Sequence, residues 1–211
     1  MRLVVEKTTL RWMLTWGQRG LFVCAVLLLG YCGFALVDAW MFQWRESRDL
    51  DRLLRERNAV SQGKPQPGPS ASPEEAPAVA ADGLIGRMEI PRLVLSVIVV
   101  EGIDKITLRR SVGHIPGTAL PGQPGNVGLA GHRDTFFRSL KDVRIKDEVR
   151  FSTLKGSFNY EVESLRVVEP EDVGVLAASG EKVLTLVTCY PFYFVGPAPQ
   201  RWIVRARQVV R

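Results

Sequence analysis

An unbroken apolar run, Leu21 to Val37, carries no charge. At about 17 residues it reaches the short limit for a helix that spans a bilayer. Asp38 interrupts it, and Ala39, Trp40, Met41 and Phe42 continue its apolar character, so the predicted anchor covers 21–42. Trp40 and Trp44 suit the membrane–water interface. Arg2, Lys7, Arg11 and Arg19 precede the run against a single Glu6, whereas acids and bases balance from Arg45 to Arg57. The positive-inside rule then leaves a cytoplasmic segment 1–20 and exports the chain beyond the anchor. A cleaved signal peptide is the rival reading. Val37-Asp38-Ala39 is a weak cleavage match and the run is long for a signal core, so the pattern favours an uncleaved anchor.

The pattern changes twice after the anchor. Arg45 to Ala59 has helical composition with Leu50, Leu53 and Leu54 as a small apolar stripe, which extends the membrane helix outward. Ser61 to Ala81 brings Pro65, Pro67, Pro69, Pro73 and Pro77 among Gly, Ser, Gln and Ala. Such a stretch cannot bury a core and predicts an extended tether. The segment 43–82 is therefore read as a juxtamembrane helix and Pro-rich linker.

From 83 to 211 the pattern is strand-like. Leu84 to Ile90 alternates until Pro91, and Leu93 to Val100 is rich in β-branched residues. A short helix is predicted over Ile106 to Ser111, a turn region over Thr118 to Gly125, and a short strand over Asn126 to Gly131. Glu148 to Thr153 and Ser157 to Val168 alternate, and Glu171 to Ala178 is read as another short helix. Val183 to Cys189 is a strand apolar on both faces, and Trp202 to Val209 is the last. Many short strands separated by turns imply a mostly-β sandwich or barrel.

Composition adds little to this picture. Charged residues make up 24% and hydrophobic ones 46%, and the formal net charge is +6. The basic residues are scattered among acidic ones and are not interleaved with aromatics, which argues against a nucleic-acid partner.

Cysteine usage is more telling. Of three cysteines, Cys24 and Cys32 lie in the apolar run, where small apolar residues of a lipid-embedded helix account for them. Cys189 is the only one in the exported domain, and a leftover cysteine there is a core residue, a reactive thiol or one end of an intermolecular bridge. A nucleophilic cysteine needs a thiolate, an acid for the leaving group and donors for the oxyanion. The chain has two histidines. His132 follows the strand ending at Ala130, and His114 stands in the preceding turn-rich segment. Arg201, which opens the last strand, is a persistent cationic donor. On the residues alone, a buried, inert Cys189 and Cys–His catalysis both stand.

Thr185-Leu186-Val187-Thr188-Cys189 matches the sortase signature Thr-Leu-x-Thr-Cys. Gly131-His132 after a short apolar strand resembles the family's histidine segment, and Arg201 matches its arginine. Gly128 to Phe137 most resembles the class D branch. The resemblance covers about Leu84 to Arg211.

This resemblance implies a sortase β-barrel and a cysteine transpeptidase with Cys189, His132 and Arg201 as catalytic residues. It places Ala130, Val187 and Thr188 near the signal-binding groove. It implies exported partner proteins with a Leu-Pro-x-Thr-Gly sorting signal, and an amine acceptor such as a peptidoglycan precursor or a pilin lysine. The location implied is the bacterial cytoplasmic membrane, with the catalytic domain outside. No cofactor and no metal are expected, since no acidic calcium cluster is evident. His114 is read as structural, and Asp134 as a surface carboxylate rather than an orienter of His132. The lack of a clear lid motif and of a C-terminal span favours attachment of proteins over pilus polymerisation.

Two other readings remain at this level. One is another exported Cys–His cell-wall hydrolase. Papain-like peptidases place Cys before His, the reverse of this chain, and L,D-transpeptidases carry a Ser-x-Gly-Cys pattern that is absent here. The other is a noncatalytic tethered β-domain serving as an adhesion or scaffold module.

Overall fold

The computed structural model describes residues 7–62, 79–80, 83–194 and 196–209. The chain divides into two compact units, Met1–Met41 and Phe42–Arg211. One helix, α1 (Lys7–Gln62), runs through both. It is the one helix among the described residues that is long and apolar enough to cross a membrane. Leu21, Phe22, Leu29, Phe34 and Leu36 are exposed on it, and Cys24 and Cys32 are exposed and unpaired. The predicted Pro-rich linker lies outside the described residues except for 61–62 and 79–80.

The second unit is a closed eight-stranded barrel. Its strands are β1 (Leu84–Ile90), β2 (Leu95–Glu101), β3 (Val112–His114), β4 (Gly125–Ala130), β5 (Glu148–Thr153), β6 (Gly156–Val168), β7 (Lys182–Tyr190) and β8 (Gln200–Val209). They close in the order β1-β2-β3-β4-β7-β8-β6-β5. Closure removes the sheet edges that would otherwise template aggregation. Two pairings are parallel, β2–β3 and β4–β7, and the rest are antiparallel. A parallel pair needs a crossover. Between β2 and β3 it is the short helix α2 (Lys105–Arg110), whose N-cap Asp104 accepts from the amides of Ile106 and Thr107.

The barrel interior is filled from alternate strand positions. Met88 and Ile90, Val97 and Val99, Val127 and Leu129, Leu184 and Leu186, and Val204 and Ala206 form one core with Phe151, Tyr160 and Phe137. This spacing of two along each strand is what places one residue set inside and its neighbours outside.

Several boundaries differ from expectation. Leu93 belongs to a 3-10 turn (Pro91–Leu93), because Pro91 opens it and Val94 takes a left-handed conformation before β2 begins. The predicted helix over Glu171 to Ala178 is only a 3-10 turn, Val173–Leu176. Strand β3 has no counterpart in the sequence pattern: three residues are too few for a period-2 signal. His114 is therefore on a buried strand and not in a turn.

The C-terminal part of α1 is a structural element of the barrel unit. Leu50 is fully buried against Leu84 and Ile98, with Leu54 partly buried beside it. The Gln43 side-chain amide donates to Arg110 O at 2.7 Å and accepts from the Ile98 amide at 2.9 Å. Arg87 donates to Ser47 O and pairs with Asp51, both at 3.0 Å. Leu50 and Leu54 of the apolar stripe thus pack on the outside of β1 and β2, while Leu53 is exposed.

Candidate active site

The three-strand ribbon β4–β7–β8 carries the site. On its inner face lie Val127, Leu129, Leu184, Leu186 and Val204, all core residues. The alternate positions form the outer face: Gly128 and Ala130 on β4, Thr185, Val187 and Cys189 on β7, and Arg201, Ile203 and Arg205 on β8. Cys189 pairs directly with Arg201, and Val187 pairs with Ala130 on one side and Ile203 on the other. Cys189 is half-buried with a free thiol, not sealed in the core.

His132 stands two residues past the end of β4. Because Ala130 pairs with Val187 in a parallel ladder, Gly131 and His132 leave β4 on the side of β7 where Thr188 and Cys189 follow. The intervening residue keeps this alignment. The Gly131 amide donates to Val187 O at 3.2 Å, and the buried Thr188 hydroxyl donates to Gly131 O at 2.7 Å. Gly131 is required here: a Cβ would lie 2.8 Å from Cδ2 of the buried Phe137 ring. The Phe137 amide in turn donates to His132 O at 3.0 Å, closing the turn. The His132 side chain is exposed, as is Asp134.

Each residue of the Thr185–Cys189 segment now has a physical role. Thr185, fully buried, donates to Asn126 Oδ1 at 2.7 Å, and Asn126 Nδ2 donates to Val175 O at 3.0 Å and Ala177 O at 3.4 Å. This pins the β6–β7 connection over the outer face. Leu186 fills the core. Val187 lines the outer face beside Ala130. Thr188 points to the opposite side and ties β7 to the β4 end, so it supports the outer face from behind. Cys189 comes next on the outer face.

Beyond Cys189, the β7–β8 connection leaves through a cis Tyr190–Pro191 peptide. Tyr190, Phe192 and Trp202 pack together, with Tyr190 and Trp202 stacked at 5.9 Å between centroids. The Arg201 Nη1 donates to Ala198 O and Gln200 O at 3.1 and 3.0 Å. A guanidinium has five N–H donors, so donors remain for a ligand beside Cys189. Farther along the outer face lies a groove of about 210 Å³ lined by Thr185, Ile203, Arg205, Arg166, Ser164 and Val175 among others.

His114 is remote from this arrangement in role. It is 2% exposed; Nδ1 meets Glu101 Oε2 at 2.7 Å, and Nε2 meets Ala119 O and Thr118 Oγ1, both at 3.0 Å. Both ring nitrogens are thereby engaged, Nδ1 with the end of β2 and Nε2 with the β3–β4 connection. Among the described residues, no group of three or more His, Cys, Asp or Glu is placed to hold a metal ion.

The Sortase domain family model matches residues 88–209. The chain is also 32% identical over 199 residues to Sortase D of Bacillus subtilis (strain 168), covering 90% of this chain and 96% of that one. It belongs to the sortase family. Among solved structures, a Clostridium perfringens Sortase D5 transpeptidase is similar with a TM-score of 0.56 and 31% identity, over 61% of this chain and 80% of that chain. Sortase C1 of GBS Pilus Island 1 gives a TM-score of 0.59 and 28% identity, over 79% and 84%. Sortase D and Sortase D5 among these relatives make the chain most like the class D sortases, and it shares the closed barrel of a family of cysteine transpeptidases.

The sequence pointed to Ala130, Val187, Cys189 and Arg201 on the outer face, and to Thr188, which is buried on the opposite side, but not to Asn126, Thr185 and Arg133 as fasteners of loops. Asn126 carried a usable signal, since an amide inside an apolar strand has to find partners when buried.

Proposed function

We propose that this chain is a single-pass membrane-anchored sortase that cleaves a Leu-Pro-x-Thr-Gly-type sorting signal between Thr and Gly and transfers the protein to an amine of the cell envelope. Its N-terminus lies inside and its barrel outside. The observation that supports this reading is the register that pairs Cys189 with Arg201, with His132 two residues past the end of β4, the other neighbour of β7.

The steps use those three side chains. The Cys189 thiolate attacks the threonine carbonyl carbon, and the carbonyl π electrons move to oxygen. The Arg201 guanidinium donates to that oxyanion, where charge appears only in the transition state. The C–N bond breaks while His132, protonated, gives its proton to the departing glycine amine, which leaves a thioester on Cys189. An amine then attacks the thioester, His132 takes its proton, and the Cys189 thiolate leaves as a new amide forms. The acceptor is a peptidoglycan precursor or a pilin lysine. Ala130 and Val187, beside the nucleophile on the outer face, form the floor for the signal, with Thr188 supporting it from behind. Trp40 and Trp44 flank the end of the span, and the positive charges before it set the orientation.

The test uses the full chain in detergent with a Leu-Pro-x-Thr-Gly peptide and triglycine. Intact mass is expected to show an acyl adduct on Cys189 that disappears in Cys189→Ala, and a transpeptidation product when triglycine is present. Neither adduct nor cleavage across a panel of sorting peptides would overturn the proposal.

A further inference from the structure

The β7–β8 connection separates Cys189 from Arg201, and it is irregular over most of its length. Backbone carbonyls in such a segment need donors from elsewhere. Three of them converge on one guanidinium. Arg133 Nη1 donates to Pro191 O at 3.0 Å, and Nη2 donates to Phe194 O at 2.7 Å and to Gly196 O at 2.9 Å. The same guanidinium carbon lies 5.9 Å from the centre of the Phe194 ring. The Arg133 side chain is half-buried in this contact.

The position of the fastening is what gives it a consequence. Arg133 is the residue after His132, and Pro191 is the second residue after Cys189. The link therefore joins the turn bearing the histidine to the segment leaving the cysteine, a few bonds from each. A further side-chain tie on this connection is Lys141 Nζ to the Tyr193 hydroxyl at 3.0 Å, an exposed contact. Arg201 binds carbonyls at the far end, Ala198 and Gln200, so the two arginines hold opposite ends of the same connection. A planar fork reaching three carbonyls suits arginine; a lysine ammonium is a compact point charge and does not reproduce it.

We propose that Arg133 is a positioning residue for the transfer reaction: it fastens the β7–β8 connection to the His132 turn and so fixes the separation of Cys189 and His132. This rests on the sortase reading above. Arg133 spends its donors on main-chain carbonyls and acts on the reaction through the two residues it aligns.

The experiment compares full-length wild type, Arg133→Ala and Arg133→Lys in detergent. It reads amide hydrogen exchange of residues 192–194 and 196–197 alongside steady-state kinetics with a Leu-Pro-x-Thr-Gly peptide and triglycine. In Arg133→Ala, exchange is expected to rise about tenfold or more at those amides while β7 and β8 amides keep their protection, and kcat is expected to fall about tenfold to a hundredfold, the cost of misplacing a reacting group by about an ångström. Arg133→Lys is expected to fall between the two on both measures. Wild-type exchange with wild-type kcat overturns the proposal. Faster exchange with unchanged kcat overturns it too, since the fastening would then not position anything. A loss of kcat with unchanged exchange would mean that Arg133 acts on the substrate directly, and equally refutes a positioning role. If Arg133→Ala loses protection throughout the barrel, Arg133→Lys decides by the same criteria. A wild type that gives no acyl adduct fails the function reading, while the exchange measurement still judges the fastening by itself.

Discussion

Cys189 and Arg201 are direct cross-strand partners on β7 and β8, on the same outer face of the barrel. Directly opposed residues of an antiparallel pair have Cβ atoms about 5 Å apart, so the ladder itself roots the two side chains next to each other. Arg201→Ala is expected to lower the rate of acyl-enzyme formation about 10² to 10³-fold, the usual cost of removing an oxyanion donor. Arg201→Lys is expected to recover little of it. Burst-phase mass spectrometry checks both. A wild-type acylation rate in Arg201→Ala would remove Arg201 from the mechanism.

The two histidines separate by environment. His132 is exposed two residues past the end of β4, and His114 is buried and bonded to Glu101, Thr118 and Ala119. His132→Ala is expected to abolish turnover with thermal stability unchanged. His114→Ala removes a buried side chain together with its hydrogen bonds to part-buried partners and is expected to cost about 1–3 kcal/mol of stability, with turnover per folded molecule retained. Denaturant melts and active-site titration distinguish the pair, and the reverse pattern would exchange their roles.

Much of this division was legible from the chain. Strands β1, β2, β5, β6, β7 and β8 announced themselves through period-2 alternation or β-branched and apolar runs, and Cys189, His132 and Arg201 stood at predicted strand ends. The features that stayed hidden are those that depend on distant pairing. Strand β3 exists because Val112 to His114 fit between β2 and β4, not because three residues carry a pattern. Arg133 looked like one scattered base among many until Pro191, Phe194 and Gly196 were brought to it across more than fifty positions of sequence. Likewise, the Leu50 stripe revealed a helix but not the surface of β1 and β2 that covers it.

Asn126 and Thr185 make one buried clamp on the β6–β7 connection. Thr185→Val keeps the shape but leaves Asn126 Oδ1 without its donor, an expected cost of about 1–3 kcal/mol. Because the clamped segment borders the outer-face groove, the Km for a sorting peptide is expected to rise more than kcat falls. Kinetics on the folded variant check this. An unchanged Km with lowered stability would confine the clamp to a structural role.

Asp147 gives the fold an acid-sensitive point. It is 7% exposed, receives Arg92 Nη2 at 2.6 Å and caps the Arg144 amide at 2.7 Å. The hydrogen bond from the Arg92 guanidinium holds its carboxyl below the usual carboxylate range. A carboxylate depressed in the folded state adds stability above its unfolded pKa, about 3.9, and loses it as pH falls through the folded value. Asp147→Asn is therefore expected to lower Tm at pH 7 and to flatten the decline of Tm below about pH 4. Thermal melts between pH 2.5 and 7 measure both. An acid limb as steep as in wild type would show that other carboxylates govern it.

Leu50 is fully buried although it belongs to the helix that leads out of the apolar run. Its neighbours Leu84 and Ile98 are strand residues on the outer side of β1 and β2, so the helix covers apolar surface that the barrel cannot bury by itself. Gln43 and Arg87 add hydrogen bonds along the same contact. Leu50→Ala is expected to destabilise the barrel unit by about 2–5 kcal/mol. A fragment that starts at Asp82 loses the whole contact and is expected to melt lower than one that starts at Phe42. Restoring residues 42–62 as a free peptide is not expected to recover the difference, because association in solution carries an entropic cost that covalent attachment avoids. Calorimetry on the two fragments provides the comparison, and equal Tm values would show that the helix contact contributes nothing to the barrel's stability.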